Sequence, residues 1–239
     1  MLLQSGEHLM TLTVCGLMGS PFFRKICTQL NEKGIEYGVE NLNPFQAGSD
    51  FTAVNPVRRI PLLKDSDVGD GFILPDSSAI FHYIERKYPT PTLLPEENAE
   101  YGRALWLEEY ADSEMASKIG LGVFRAVIFP QMAGGEPDLD AALKVIREKL
   151  PPIHDYLEAQ LIGKDWFAGG AFGLADIAIA VQYGNLAYAG YAPSPARWPN
   201  LAAFMQRMGT KDSFAPLHIK GAAYFANMKK IEIDPAEGL

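Results

Sequence analysis

The stretch "GLMGSPFFRKICTQL" (16–30) decides how the first third of the chain is read. Ser20 and Pro21 stand directly before a run with helical apolar spacing. Ser at a cap and Pro at the first helical position together mark a helix start. Upstream, "TLTVCG" (11–16) is a short β-branched run, and downstream "IEYGVENL" (35–42) alternates apolar with polar residues. Both read as strands, which makes a βαβ unit around the helix. Farther on, "NPVRRIPLLKD" (55–65) sets a strand at 61–64 behind a proline. The acidic turn "DSDVGDG" (65–71) then leads into "FIL" (72–74), which makes those two strands an antiparallel hairpin. In "DSSAIFHYIERKY" (76–88), Ala79, Ile80, Tyr83 and Ile84 fall on one stripe with Asp76 or Ser77 as cap.

The segment "PTPTLLPEENAE" (89–100) holds three prolines between helical patterns and reads as a boundary. Beyond it strand signals stop. Helical patterns cover 97–128, 138–161, 174–190, 199–208 and 213–229, with "MAGGEPD" and "YAPSPARWPN" as breaks. The expected fold class is an α/β domain of order βαβ–ββα over 1–89, a linker at 90–98, and an all-α domain over 99–239. Residues 1–10, "MLLQSGEHLM", lack the basic start and apolar run of a secretory signal and read as a loose leader, with Met10 as an alternative start.

A chain of 239 residues with 48% hydrophobic and 21% charged residues is globular in balance, enough for one or two compact units. Its net charge of −8 argues against a nucleic-acid partner, which would need a basic face. Cys15 and Cys27 are too few for a disulfide scaffold and point to a reducing compartment. The most apolar later stretches carry Arg125 and Asp176, so neither reads as a membrane span, and a soluble cytoplasmic protein is expected. His8, His82, His154 and His218 show no metal-ligand spacing, so no metal is expected.

Four features occur in order: Ser20-Pro21 after the first strand, "NPVRRIP" before the third, "DSSAIFHYIERKYP" after the fourth, and "FGLADIAIA" (172–180) in the helical half. Together they resemble a serine-type cytosolic glutathione transferase of no assigned subclass, and the resemblance covers nearly the whole chain. It implies a thioredoxin-like first domain, a cis bond at Ile60–Pro61, glutathione as substrate, a small electrophilic, largely apolar co-substrate, a detoxification role and a homodimer. From general statistics alone, Ile60–Pro61 reads equally as a trans proline starting a strand.

The chemistry can also be argued from the residues. A thiol at the N-terminus of the helix starting at Pro21 would meet exposed N–H groups and the positive dipole end, both of which favour thiolate. Ser20 is then either a hydroxyl donor to that sulfur or only a cap. Asp76 and Ser77 supply a charge and a hydroxyl at another helix start, suited to the ammonium and carboxylate of a γ-glutamyl end, or else simply cap it. By resemblance, the main chain at Ile60 beside Pro61 serves the cysteinyl part, with Arg59 just before it. Gln46 falls where relatives often place a His or Gln near the glycyl carboxylate; Arg59 and Gln46 read equally as solvated surface. Met18, Phe22, Tyr110, Met115 and Phe124 are candidates to line a second-substrate pocket, or are plain core.

Two departures from the family pattern stand out. Arg58 replaces the usual Gly of the "NPxGKxP" loop, and Gly173 replaces the usual Ser or Thr of the helix-capping motif, leaving Asp176 to cap as a structural residue. The position that disulfide-reducing relatives fill with Cys is Ser20 here, so redox chemistry by a protein thiol is not expected. Two other functions remain open: a non-catalytic binding or regulatory protein on the same fold, and a glutathione-dependent peroxidase or isomerase at the same site.

Overall fold

In the computed structural model, residues 11–69 and 71–239 are described; the leader expected at 1–10 lies outside the described residues. The β-branched and alternating runs pair as a four-stranded sheet of order β2-β1-β3-β4. Its strands are β1 (Leu12–Gly16), β2 (Gly38–Asn41), β3 (Leu62–Asp65) and β4 (Ile73–Pro75). β1 runs parallel to β2 and antiparallel to β3, and β3 is antiparallel to β4. Helix α1 (Pro21–Glu32) makes the crossover between β1 and β2, and α3 (Ser77–Lys87) follows β4. Phe23, Ile26 and Leu30 of α1 and Ile80, Phe81 and Ile84 of α3 bury one stripe each against Leu12, Val14 and Leu63 of the sheet.

One element was not read from the sequence. Helix α2 (Ser49–Val54) is six residues long, opens at Gly48 and stops at Asn55, ahead of Pro56, and buries only Phe51. A single buried residue leaves no periodicity to detect.

The second half is helical throughout. Helix α4 (Asn98–Tyr110) runs without a break into a π-helical stretch (Ala111–Phe124) and then α5 (Arg125–Met132). The remaining helices are α6 (Leu139–Glu148), α7 (Leu150–Gln160), α8 (Leu174–Tyr188), α9 (Pro199–Met208) and α10 (Ala215–Ala223). No described helix is long and apolar enough to cross a membrane. Helix α8 is buried on nearly every side. Leu174 and Ile177 at its start, with Leu217 of α10 and Leu93 of the linker, belong to the same apolar cluster as α1 and the sheet. The two halves therefore share a core.

Asp176 caps α8 from within its first turn, one carboxylate oxygen accepting from the Gly173 N–H and the other from the Phe167 N–H, each at 2.9 Å. The linker explains the missing Ser or Thr. A β-carbon on residue 173 would stand 2.5 Å from the carbonyl oxygen of Leu93, and that same oxygen accepts the Leu174 N–H at 2.9 Å. Restoring a side-chain cap there should do harm. Gly173→Ser is expected to lower unfolding free energy by about 1–3 kcal/mol through overpacking, where cap preference alone would favour Ser by a few tenths. Urea unfolding of the two proteins checks this, and an unchanged or higher midpoint in the variant would contradict it.

Candidate functional site

Sheet register brings the candidate loops to one rim. Gly16 at the end of β1 lies opposite Asn41 at the end of β2, Cys15 opposite Leu62 at the start of β3, and Leu62 opposite Pro75 at the end of β4. At that end the chain enters or leaves the sheet through residues 17–20, 42–48, 55–61 and 76–77. Ser20, Gln46, Arg59, Ile60, Pro61, Asp76 and Ser77 all stand on those loops.

Ser20 caps α1 from extended backbone (φ −78°, ψ 127°), its Oγ accepting from the Phe23 N–H at 3.4 Å. That is a long bond. Accepting it leaves the hydroxyl proton available, because a Ser oxygen donates and accepts at once. The cap and the donor readings of Ser20 therefore do not compete.

The loop that carries Ser20 is held from below by Arg24, a residue the sequence reading passed over. Its guanidinium is buried, donates to the carbonyls of Met18 (2.8 Å) and Val181 (3.0 Å) and to Oδ1 of Asn185 (2.5 Å), and lies 4.9 Å from the centre of the Tyr188 ring. Burial lowers its pKa to about 10, which leaves it charged at neutral pH. The available signal was an arginine on the apolar side of α1. Its neighbour Lys25 is also buried, 2.5 Å from Glu108 and 2.7 Å from Asp112, with its Nζ 3.4 Å from the hydroxyl of Ser78 in the first turn of α3. Burial works against the Glu108 charge, but His82 and the Lys25 ammonium outweigh it and hold that carboxyl at about 2.

Asp76 caps α3, its Oδ1 accepting from the N–H groups of Ser78 (2.9 Å) and Ala79 (3.1 Å). Its backbone lies at φ 78°, ψ 129°, a conformation that a side chain rarely adopts. Such an outlier costs of order 1–3 kcal/mol and persists where the surrounding structure over-determines it, as the two bonds to its carboxylate do here. Ser77 is buried beside it. The Ile60–Pro61 peptide is cis, as is Thr90–Pro91 in the linker, a second cis bond the sequence reading did not single out. The Asn55 side-chain amide donates to the Arg59 carbonyl at 2.7 Å and holds the approach to that proline. Arg59 and Gln46 are exposed.

Arg58 departs from Gly at a price in backbone strain, since its φ is 51°. Its guanidinium compensates by donating to the carbonyls of Pro44 (2.9 Å) and Ala47 (2.7 Å) and to Thr52 Oγ1 (2.5 Å). The loop bearing Phe45 and Gln46 is thereby braced.

The expected pocket residues separate. Phe124 lies beside the rim, in contact with Phe225, whose ring packs on Gly19: a β-carbon there would come within 2.8 Å of it. Met18 and Phe22 are partly exposed near Ser20. The π-helical turn directs Met115 into the closed helical core, and Tyr110 packs on Trp106 and Tyr156. Phe225 reaches the Ser20 loop through Gly19, and Phe124, Phe129 and Phe45 continue from it ring to ring. A cavity of about 640 Å³ between residues 92–104 and residues 164–176 shares no residue with this rim. Burial pushes the thiols of Cys15 and Cys27 up to about 11 and about 12, so neither is a ready nucleophile.

The Arg24 contacts predict a measurable anchor. Arg24→Met leaves two carbonyls and an amide oxygen without donors in a buried place, at about 1–3 kcal/mol each for groups that cannot rehydrate. A loss of roughly 2–4 kcal/mol in urea unfolding is expected. A loss under about 0.5 kcal/mol would show that the guanidinium is dispensable.

Residues 14–92 match the glutathione S-transferase N-terminal domain and residues 130–207 the C-terminal domain of the same family. Glutathione S-transferase 3 of Zea mays is 32% identical over 170 residues, covering 69% of this chain and 73% of that protein. FtsZ-localized protein A of Caulobacter vibrioides is 28% identical over 204 residues, covering 82% and 86%. The crystal structure of a glutathione S-transferase from Rhodospirillum rubrum superposes with a TM-score of 0.78 at 24% identity, over 86% of this chain and 91% of that one, a likeness of fold.

Proposed function

The chain belongs to the glutathione S-transferase family, and from that premise we propose that it binds glutathione on the rim and activates its thiol for attack on an electrophilic, largely apolar co-substrate. The observation that carries this reading is the register, which sets two helix starts, Ser20 before α1 and Asp76 before α3, at one end of the sheet with the cis Pro61 between them.

The tripeptide's groups find matching partners along that rim. Its γ-glutamyl ammonium faces the Asp76 carboxylate, and its α-carboxylate the N-terminal turn of α3 at Ser77. The main chain of Ile60 meets the cysteinyl peptide. Gln46 and Arg59 serve the glycyl carboxylate, for which their exposure is no obstacle. The thiol then lies at the start of α1, with the Ser20 hydroxyl donating to sulfur. Moving a thiol pKa from about 8.5 to about 6.5 requires roughly 2.7 kcal/mol. A hydrogen bond to a charged group supplies about 1.5–3 and a helix terminus about 0.3–1, so the two suffice.

In the reaction the thiol proton passes to solvent and the thiolate's electron pair forms a carbon–sulfur bond, expelling a leaving group from the co-substrate. Ser20 donates a hydrogen bond throughout and forms no covalent bond. A homodimer, a cytoplasmic location and a detoxification role accompany this proposal as family expectations. A second reading, a glutathione-transferase-like binding protein without turnover, draws support from the similarity to FtsZ-localized protein A.

Titration calorimetry with glutathione, paired with turnover of a panel of electrophiles, separates the readings. Asp76→Ala is expected to weaken binding about tenfold or more by removing a charge partner and a cap. Ser20→Ala should leave binding nearly intact and lower turnover roughly tenfold to a hundredfold. Binding without turnover on any electrophile would favour the second reading. Binding unaffected by Asp76→Ala would refute the placement of the γ-glutamyl end.

A further inference from the structure

The cavity away from the rim has no part in the chemistry proposed above. It lies between residues 92–104 on one side and residues 164–176 on the other, and its volume of about 640 Å³ is within the range of small-molecule sites. Its floor is apolar and buried, formed by Leu93, Ala104, Phe167 and Leu174. Trp166 and Phe172 form a partly exposed wall, edge to face with ring centroids 5.2 Å apart.

The walls are fixed without a guest. The Leu174 N–H donates to the Leu93 carbonyl, and the Gly169 N–H to Oε2 of Glu100, each at 2.9 Å. Gly169 adopts φ 67° and lies so close to Pro95 that a β-carbon would stand 2.8 Å from its ring, so this turn requires glycine. At the base the Asp176 carboxylate accepts from the Phe167 and Gly173 N–H groups, each at 2.9 Å. Walls tied together in this way make the cavity preformed, which spares a ligand the entropy of ordering loops.

Charge at the mouth is unbalanced. The carboxylates of Glu96, Glu97 and Glu100 line it against one ammonium, that of Lys164. Glu100 pairs with Arg103 at 3.2 Å, so Lys164 faces two further carboxylates and an excess of negative charge remains. The cations that lie over the aromatic wall do not change this. Lys211 pairs with Glu32 at 3.0 Å and Arg207 with Asp165 at 3.6 Å, and neither lines the cavity.

We propose that this cavity is a second ligand site, separate from the rim, and that it takes small organic cations, with an aromatic body on the apolar floor and an ammonium beside Glu96 and Glu97. The proposal is independent of the glutathione reading. A guest ring can meet the edge or face that Trp166 and Phe172 present, an interaction beyond area burial. The ammonium stays at the open mouth, partly hydrated, and so avoids the penalty of a buried charge. Exposed charge pairs contribute little individually, so the floor supplies most of the affinity and the acids supply the selection by sign.

Calorimetry at neutral pH with naphthylmethylamine, naphthylmethanol and naphthoate compares a cation, a neutral molecule and an anion on one ring system. Wild type should bind the amine about threefold to tenfold more tightly than the alcohol, and the alcohol more tightly than naphthoate. The double variant Glu96→Gln, Glu97→Gln keeps an acceptor at the cap of α4 and should bring the amine to the level of the alcohol. Ala171→Trp fills the mouth from an exposed loop position and should weaken all three at least tenfold. Both sets of changes lie at exposed residues and should leave the fold intact. Equal binding of the three probes by wild type, or a preference for the amine that survives in the double variant, overturns the cation assignment. Binding that Ala171→Trp leaves unchanged places the probe elsewhere, and that result, like the absence of any binding, overturns the site.

Discussion

The buried guanidinium of Arg24 is the contact on which the arrangement depends. It joins the loop before Ser20 to the middle of α8 through a carbonyl on one side and a carbonyl and an amide oxygen on the other. A charge in a shared core is tolerated only when it is partnered, and here two carbonyls, an amide oxygen and an aromatic face meet the two terminal nitrogens and the guanidinium plane, while Nε stays without a partner. The Ser20 loop is then positioned by the helical domain as much as by the sheet. Lys25 repeats the device one residue on, tying α1 and the first turn of α3 to Glu108 and Asp112. The two helix starts that the proposed chemistry uses are therefore fixed relative to each other by adjacent cations of a single helix.

Around that frame, local strain is concentrated at the rim. Asp76 and Arg58 are the two non-glycine residues with positive φ among those described, and both stand on rim loops. Each is offset by its own side chain: Asp76 caps α3, and Arg58 donates to four oxygens of the neighbouring segment, those of Pro44, Ala47, Gly48 and Thr52. The pattern is one of loops over-determined by short-range bonds and set on a rigid sheet, which suits a site that must present fixed donors to a small flexible peptide.

Much of the fold was legible because each element announces itself locally. The βαβ–ββα order follows from the switch between strand and helix periods and from the turn residues at 65–71, and the helical half from its long stripes and proline breaks. Helix α2 escaped because one buried residue, Phe51, makes no period. The site was legible in part. Ser20, Asp76 and Ser77 stand at helix starts, where cap chemistry and ligand chemistry use the same residue types. For Met115 the core alternative describes its place, since a helical stripe of apolar residues does not say which side faces a cleft. The ring contacts that join Phe45, Phe129, Phe124 and Phe225 were invisible for a different reason: no local pattern links the loop after β2, α5 and the segment after α10. Gly173 looked like a weakened cap and proved to be clearance for the backbone at Leu93.

The claim at the centre of this account is that the Ser20 hydroxyl, at the start of α1, stabilises a bound thiolate. Its direct measure is the ultraviolet thiolate absorbance of glutathione bound to the protein, followed against pH in wild type and in Ser20→Ala. The account predicts a wild-type thiol pKa about two units below the free value near 8.5, and a return most of the way to that value in the variant. The same depressed pKa in both proteins would contradict it and leave Ser20 a helix cap alone.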